Sequence, residues 1–198
     1  MRPVIPTSAL VIATVVLAGC ATQTAGSARP ANHAPPTTSS ANFGAPKVTT
    51  PLDTTKYQAN PCGTLTPAQL QALGITQPGK VTADPTGGFC DWSPQLDVVY
   101  TLGFNTTFEP GDAEGLANVY QIGGPNSITR LPDVHGQPAV TQPSQNTGGS
   151  CTIYLGATDV ISYGIAVTIP GGQPHFADPC TVATQIADDA TATMKSGG

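Results

Sequence analysis

Charged residues are scarce in this 198-residue sequence, where Asp, Glu, Lys and Arg together make up 10% of the chain. Basic residues are the scarcest, because residues 51–198 hold four Lys or Arg against twelve Asp or Glu, a net charge of −8. Since there is no basic cluster, we expect no nucleic acid as a partner and no electrostatic docking on anionic lipid. The longest apolar run, at residues 9–17, is too short to span a bilayer, which needs about 20 apolar residues, and no other stretch is long enough.

Sequence motifs of catalysis are also missing. No H-E-x-x-H, G-x-S-x-G, phosphate-binding or dinucleotide-binding pattern occurs, and the chain has only three histidines. His135 and His175 lie in Pro- and Gly-rich loops, and Ser150 is the nearest candidate for a nucleophile. We therefore predict no catalytic residue and no cofactor. A triad assembled from distant residues would leave no motif, so a hydrolase with a dispersed site is an alternative.

Neither of two groupings that suggest a metal has the spacing of a metal site. Glu109, Asp112 and Glu114 lack the alternating ligands of a calcium loop, and we interpret them as a solvated acidic loop. The cysteines lack the close pairs that are typical of zinc sites. We therefore predict no metal.

The amino terminus carries a targeting signal. Arg2 precedes an apolar run at residues 9–17, which the sequence Leu17-Ala18-Gly19-Cys20 closes. A basic start, a short apolar run and small residues before a cut site are typical of a secretory signal, and the last four residues match a bacterial lipobox. We predict a signal peptide over 1–19 and a lipid on Cys20, which anchors the protein to the extracytoplasmic face of the cell membrane. An uncleaved anchor and an ordinary secretory signal are the alternatives.

The sequence after the lipobox divides into a linker and a domain. Residues 20–50 are dominated by Pro, Ala, Ser and Thr without helical or strand periodicity, so we predict a disordered tether. Residues 37–40 could accept O-linked sugar, or they are a plain polar linker. Residues 51–198 have the length of a single domain.

Four cysteines remain once Cys20 is assigned to the lipid. An even number in an exported domain indicates two disulfides, and Cys62, Cys90, Cys151 and Cys180 allow three connectivities.

Local signals predict two helices that flank the strands. Thr66 is a good N-cap, Pro67 suits the first helical position, and Gln69 completes a capping box. Gly74 is placed for a left-handed helix end, with Ile75 reaching back as in a Schellman motif. A second helix follows the cap Asp178 and the first-turn Pro179. It has an apolar stripe at helical spacing, formed by Val182, Ala183, Ile186, Ala187, Ala190 and Met194.

Alternation of apolar residues predicts the strands. Residues 89–93 and 96–104 form one predicted hairpin around Pro94, and residues 151–156 and 160–169 form another. Residues 138–141 are a predicted edge strand, and residues 112–120 a weak short helix. The predicted fold is α+β: an antiparallel sheet packed by a short N-terminal helix and a C-terminal helix, and braced by two disulfides.

This arrangement favours one disulfide pairing. Cys62 and Cys180 both lie at helix starts, whereas Cys90 and Cys151 both lie in strands. We therefore expect Cys62–Cys180 and Cys90–Cys151, and we expect a Cys62–Cys90 bond to be incompatible with the predicted arrangement.

Three aromatic residues are candidates for a ligand groove. Trp92, the only tryptophan, lies two residues from Cys90 and hence on the same strand face, and Tyr100 and Tyr163 lie on the apolar faces of their strands. Core packing over a disulfide is the favoured interpretation for Trp92, and a ring that lines a groove is the alternative.

Several short motifs occur in a specific order. They are residues 60–66 (Asn-Pro-Cys-Gly-Thr-Leu-Thr), residues 90–92 (Cys-Asp-Trp), Cys151, and residues 178–180 (Asp-Pro-Cys). With the lipobox and tether, they resemble the actinobacterial lipoproteins classed as domain of unknown function 3558. The resemblance covers residues 52–195 in outline, although the opening motif has one more residue before its Leu. It implies a cell-envelope lipoprotein, and it brings no established active site.

Taken together, these features predict a membrane-anchored, non-enzymatic binding or interaction module of the cell envelope. Its expected partners are the membrane, through the lipid on Cys20, and an envelope protein or an apolar ligand. A carrier of an apolar envelope ligand and a hydrolase are the alternatives.

Overall fold

The computed structural model describes residues 42–84, 87–95, 98–105, 114–143 and 146–197. The predicted signal peptide, Cys20 and most of the predicted tether lie outside these residues, as do Glu109 and Asp112. Within the described ranges, no helix has both the length and the apolar character that crossing a membrane requires.

A seven-stranded antiparallel sheet organises the domain, with the strand order β1-β2-β3-β7-β6-β5-β4. Its strands are β1 (Lys80–Asp84), β2 (Gly87–Gln95), β3 (Val98–Asn105), β4 (Thr129–Val134), β5 (Gln137–Thr141), β6 (Ser150–Gly156) and β7 (Ser162–Thr168). Both predicted hairpins are confirmed, as β2–β3 and β6–β7. The pairing of β3 with β7 joins them into one sheet.

Helices cover both faces of this sheet. They are α1 (Thr55–Ala59), α2 (Pro67–Ala72), α3 (Gly115–Gly123) and α4 (Pro179–Ser196), with 3-10 turns at Pro61–Thr64 and Pro125–Ser127. The predicted α+β class is confirmed, with short helices on the N-terminal side, a long C-terminal helix and two disulfides. The N-terminal α1 was not predicted.

The local rules for α2 hold in detail. The Thr66 side chain accepts a hydrogen bond from the Gln69 amide, and the Gln69 side chain accepts one from the Thr66 amide, which completes the capping box. At the other end, Gly74 has φ +73° and the Ile75 amide donates to the Leu70 carbonyl at 2.8 Å. This is the Schellman geometry that the sequence predicts.

One strand prediction was wrong and two strands were missed. Residues 138–141 do not form an edge strand, because β5 lies between β4 and β6. The edges of the sheet are β1 and β4, neither of which was predicted. β4 lacks a clear alternating pattern, since Leu131 and Val134 are only partly buried and Pro132 stands between them. Proline is tolerated in an edge strand because the missing N–H faces away from the sheet.

The main core lies between the sheet and α4. Direct cross-strand pairing places Trp92, Tyr100, Val167 and Cys151 in one row on this face, and all four are buried. The predicted apolar stripe of α4 is confirmed, because its six residues are all buried against this row and its neighbours. Asp178 occupies the N-cap position of α4, but its side chain accepts no capping hydrogen bond.

A smaller core lies on the other face of the sheet, under α3. It contains Leu116, Val119 and Tyr120 of α3 together with Val140 and Ala45. Residues 42–52, which we call the N-terminal strap, begin on this face. Ala45, the first buried residue of the described ranges, therefore lies inside the predicted tether.

The disulfide pairing expected from the sequence was wrong. The bonds are Cys62–Cys90 and Cys151–Cys180, with Cα–Cα distances of 5.0 and 5.1 Å. Cys90 and Cys151 lie on β2 and β6, with β3 and β7 between them. Three strand spacings are about 14 Å, twice the distance that a disulfide can bridge. The expected incompatibility of a Cys62–Cys90 bond with the fold was also wrong, because the 3-10 turn at Pro61–Thr64 packs on β2.

Candidate functional site

A surface groove runs along the outer side of α4. It is a shallow, open depression of about 500 Å³, unlike the concave pockets that enclose small molecules. Five residues of α4 line it: Cys180, Thr181, Thr184, Gln185 and Asp188. Their spacing follows the helical repeat on the side opposite the apolar stripe, so burial of the stripe turns these residues outward. We call this surface the α4 groove.

The Asp188 end of the groove contacts the β4–β5 turn. The Nε2 atom of His135 lies 3.0 Å from Oδ1 of Asp188. His135 and Gly136 both have positive φ, +50° and +81°, as a two-residue type I′ turn requires. A second contact from α4 stabilises the turn, because Nζ of Lys195 donates to the His135 carbonyl at 2.7 Å. Two contacts from α4 therefore fix the position of the imidazole.

Polar groups of the groove are of several kinds. The Thr184 hydroxyl donates to the Cys180 carbonyl at 2.8 Å, which is a bond within the helix. The Gln185 amide donates to the carboxylate of Asp189 at 3.1 Å, just outside the groove. None of the five lining residues is Lys or Arg. The groove thus combines hydroxyl, amide and carboxylate groups with a larger apolar area.

The three aromatic candidates do not line this groove. Trp92, Tyr100 and Tyr163 are at most 8% exposed and belong to the main core beneath α4. The Tyr163 hydroxyl lies 2.7 Å from the Thr191 hydroxyl of α4, and burial raises the pKa of this phenol. Burial also raises the pKa of Tyr100. The structure places all three rings where they pack the core.

The candidate catalytic residues are not brought together. His175 lies 3.5 Å from Asp178 in an exposed loop, while His135 contacts Asp188 at the α4 groove. In the described part of the chain, neither imidazole hydrogen-bonds a serine hydroxyl. The same residues contain no group of three or more His, Cys, Asp or Glu side chains that could hold a metal ion.

Sequence reasoning did not find the groove or the His135–Asp188 contact. A His-Gly pair between two strands is a weak signal for a type I′ turn, because Asn and Asp are the usual residues before Gly. Polar residues opposite the apolar stripe of a helix are typical of a solvated surface, and they carry no signal of a groove.

Comparison with known proteins gives a family and nothing more specific. The model of a family described as protein of unknown function (DUF3558) matches residues 15–193. Searches of curated proteins and of solved structures found no match.

Proposed function

Because the chain belongs to the DUF3558 family, which assigns no activity, we propose a function from the site: a membrane-anchored envelope lipoprotein that binds a partner through the α4 groove without catalysis. The observation that carries the binding role is the groove itself, with the turn of His135 fixed at its end. The envelope location rests on the lipobox at residues 17–20 and on the resemblance to actinobacterial lipoproteins.

The disulfides support a location outside the cytoplasm. All four cysteines of residues 51–198 are paired, and such bonds form and persist in oxidising compartments. Their pairing leaves Cys20 as the one remaining cysteine of the chain. A lipid on Cys20 would therefore not compete with the disulfide network.

The course of the strap supports an accessible groove. Ala45 packs in the α3-side core, and Val48 contacts the same side, since its Cγ2 atom would lie 2.7 Å from a Cβ at Gly156. The described chain thus begins on the α3 side of the sheet, whereas the α4 groove is on the other side.

The two alternatives receive less support from the site. A carrier of an apolar ligand needs an enclosed cavity, whereas the α4 groove is an open surface, although its lining is mainly apolar. A hydrolase needs a nucleophile beside its base and acid. His135 and Asp188 supply the second and third of these, and Ser150 is not bonded to either.

Lipidation is tested by labelling cells that express the chain with an alkyne fatty acid. We expect label on the wild-type protein in the membrane fraction, and unlabelled, released protein from the Cys20→Ser variant. Label that persists in this variant would refute the anchor.

Binding through the groove is tested by photocrosslinking in cells. A photoreactive amino acid replaces Thr184 in the groove, and in a matched control it replaces Gln121, an exposed residue of α3 on the other side of the sheet. We expect a discrete crosslinked adduct from position 184 only. Equal adducts from both positions, or none from position 184, would contradict the proposed function.

A further inference from the structure

We propose that the partner of the α4 groove is a basic protein segment, and that Asp188 receives a Lys or Arg side chain from it. This inference rests on the proposed binding function and adds the chemistry of the partner. It follows from three observations: the net negative charge of the domain, the exposure and contacts of the Asp188 side chain, and the residues that line the groove.

The domain has an excess of acid that its own basic residues do not balance. Of the four basic side chains in residues 51–198, three have partners within the fold. Lys56 donates to the Gly197 carbonyl, Lys195 donates to the His135 carbonyl, and Arg130 pairs with Asp133. Only the last of these contacts neutralises a carboxylate. An acidic surface attracts basic partners and speeds their association.

Asp188 is the carboxylate that the groove presents to a partner. Its side chain is 57% exposed, and its partner is the imidazole of His135 rather than Lys or Arg. The single contact to Oδ1 leaves the second carboxylate oxygen open to a further donor, since a carboxylate accepts several hydrogen bonds. A permanent cation from a partner can therefore take over Oδ1 or bind the second oxygen.

Asp188 has both an acidic and a basic side chain in its neighbourhood. Asp189 lies beside it with its carboxylate bonded to Gln185, and Lys195 lies beyond His135 with its ammonium on a carbonyl. No other Lys or Arg of the described residues has a contact with this end of α4. The groove therefore disfavours anionic ligands, which would meet the Asp188 carboxylate.

The rest of the groove suits the stem of a long side chain. Cys180, Thr181 and Thr184 lie at the other end of the groove from Asp188, and the lining of the groove is mainly apolar. Such side chains bury their methylene stems on apolar surface and keep the charged head on a polar group. Here the head would reach Asp188.

The test uses the mature chain, residues 20–198, with Cys20→Ser so that no free thiol remains. The probe is a blocked peptide with alternating Gly and Lys, and the control peptide has Gln in place of every Lys. Binding is followed by the backbone amide shifts of Thr181, Thr184 and Asp188. We expect binding of the Lys peptide only, weakened at least fivefold between 50 and 300 mM salt.

Variants separate Asp188 from the general charge of the domain. Asp188→Asn is expected to weaken binding of the Lys peptide at least fivefold. The control Asp159→Asn makes the same change of net charge at the β6–β7 turn, away from the groove, and is expected to change binding less than twofold. His135→Asn removes the internal competitor while keeping a residue that tolerates positive φ, so binding should tighten at least twofold.

Two outcomes would overturn the inference. Equal weakening by Asp188→Asn and Asp159→Asn would mean that only net charge matters. Equal binding of the Lys and Gln peptides, independent of salt, would mean that the groove binds neutral hydrogen-bonding ligands. If the crosslink from position 184 persists in cells while either result is found, the binding function survives and only the chemistry of the partner is wrong.

Discussion

The two faces of the sheet are held in different ways. On the α4 face, two disulfides and a core of large side chains hold the helices in place. On the α3 face, one short helix and the N-terminal strap cover a small core. The α4 face is fixed covalently at both ends of its core. The α3 face depends on hydrogen bonds and on a few apolar contacts. We infer that the groove lies on the more rigid side, as a preformed binding surface requires, and that the strap side opens first.

The largest expected effect comes from breaking the covalent bracing. Replacing either cysteine pair by serines should lower the free energy of unfolding by about 3–4 kcal/mol, because each bond closes a loop of similar length. The sequence separations are 28 and 29 residues. Chemical denaturation followed by the fluorescence of Trp92 measures both losses. If one pair costs less than 1 kcal/mol and the other more than 3, the two ends of the α4-side core are not equally braced.

A second prediction concerns the close packing around the Cys62–Cys90 bond. A Cβ at Gly79 would lie 2.3 Å from Sγ of Cys90 and 2.6 Å from Nε1 of Trp92. Gly79→Ala should therefore lower the free energy of unfolding by about 1–3 kcal/mol through overpacking.

Gly171 is the matched control for that change. A Cβ there meets nothing within 4 Å, and the residue does not need positive φ. Gly171→Ala should be neutral or slightly stabilising, since it restricts the unfolded chain. Similar losses in the two variants would show that backbone freedom, rather than packing on the disulfide, sets the cost at position 79.

Predictions were correct where the interacting residues are close in the sequence, and wrong where they are far apart in it. The boundaries of α2 could be predicted because Thr66, Gln69 and Gly74 act within eight residues of each other. The disulfide pairing could not, because it depends on β3 pairing with β7. That contact joins strands about 60 residues apart, and no local pattern encodes it.

The candidate site was missed for the same reason. Asp188 is outside the apolar stripe that the sequence predicts for α4, but its contact with His135 requires β4 and the turn that follows it. β4 is an edge strand with little apolar content, so period-two alternation did not reveal it. The positions of both groups are fixed only by the assembled sheet.

A third prediction tests how α2 is held against α4. The Gln69 side chain accepts from Thr66 and Thr193 and donates to the Asp189 carbonyl at 3.0 Å. Gln69→Glu keeps the acceptor of the capping box but replaces the donor by a charge near Asp189. We expect a loss of about 1–2 kcal/mol, against no more than about 0.5 kcal/mol for the exposed control Gln71→Glu. Equal effects of both changes would show that the bond to α4 contributes nothing.

The smallest expected effect tests the strap on the α3 face. Asp159 accepts a hydrogen bond from the Val48 amide at 3.0 Å and pairs with Lys47 at 3.3 Å. The Val48 bond is the main cause that lowers the pKa of Asp159 below its ordinary value, and Lys47 adds to it. A lowered pKa means that the strap is stabilised above the ordinary pKa of Asp, and that this contribution is lost as pH falls through the lowered value.

Because Asp159 and Lys47 are both at least half exposed, the contribution of their contact should stay below about 1 kcal/mol. Hydrogen exchange of the Val48 amide, measured from pH 7 down to pH 3 and corrected for the intrinsic rate, should show loss of protection at the acid end. Asp159→Asn should start with lower protection and show little further change, since its amide does not titrate.

Asp53→Asn is the control for this measurement. The pKa of Asp53 is also lowered, through the Thr55 amide, so Asp53 titrates in the same range. Its replacement should leave the protection profile of the Val48 amide unchanged. If Val48 stays protected in acid while the α4 amides lose protection, the α3 face is the more stable one and the contrast between the two faces is reversed.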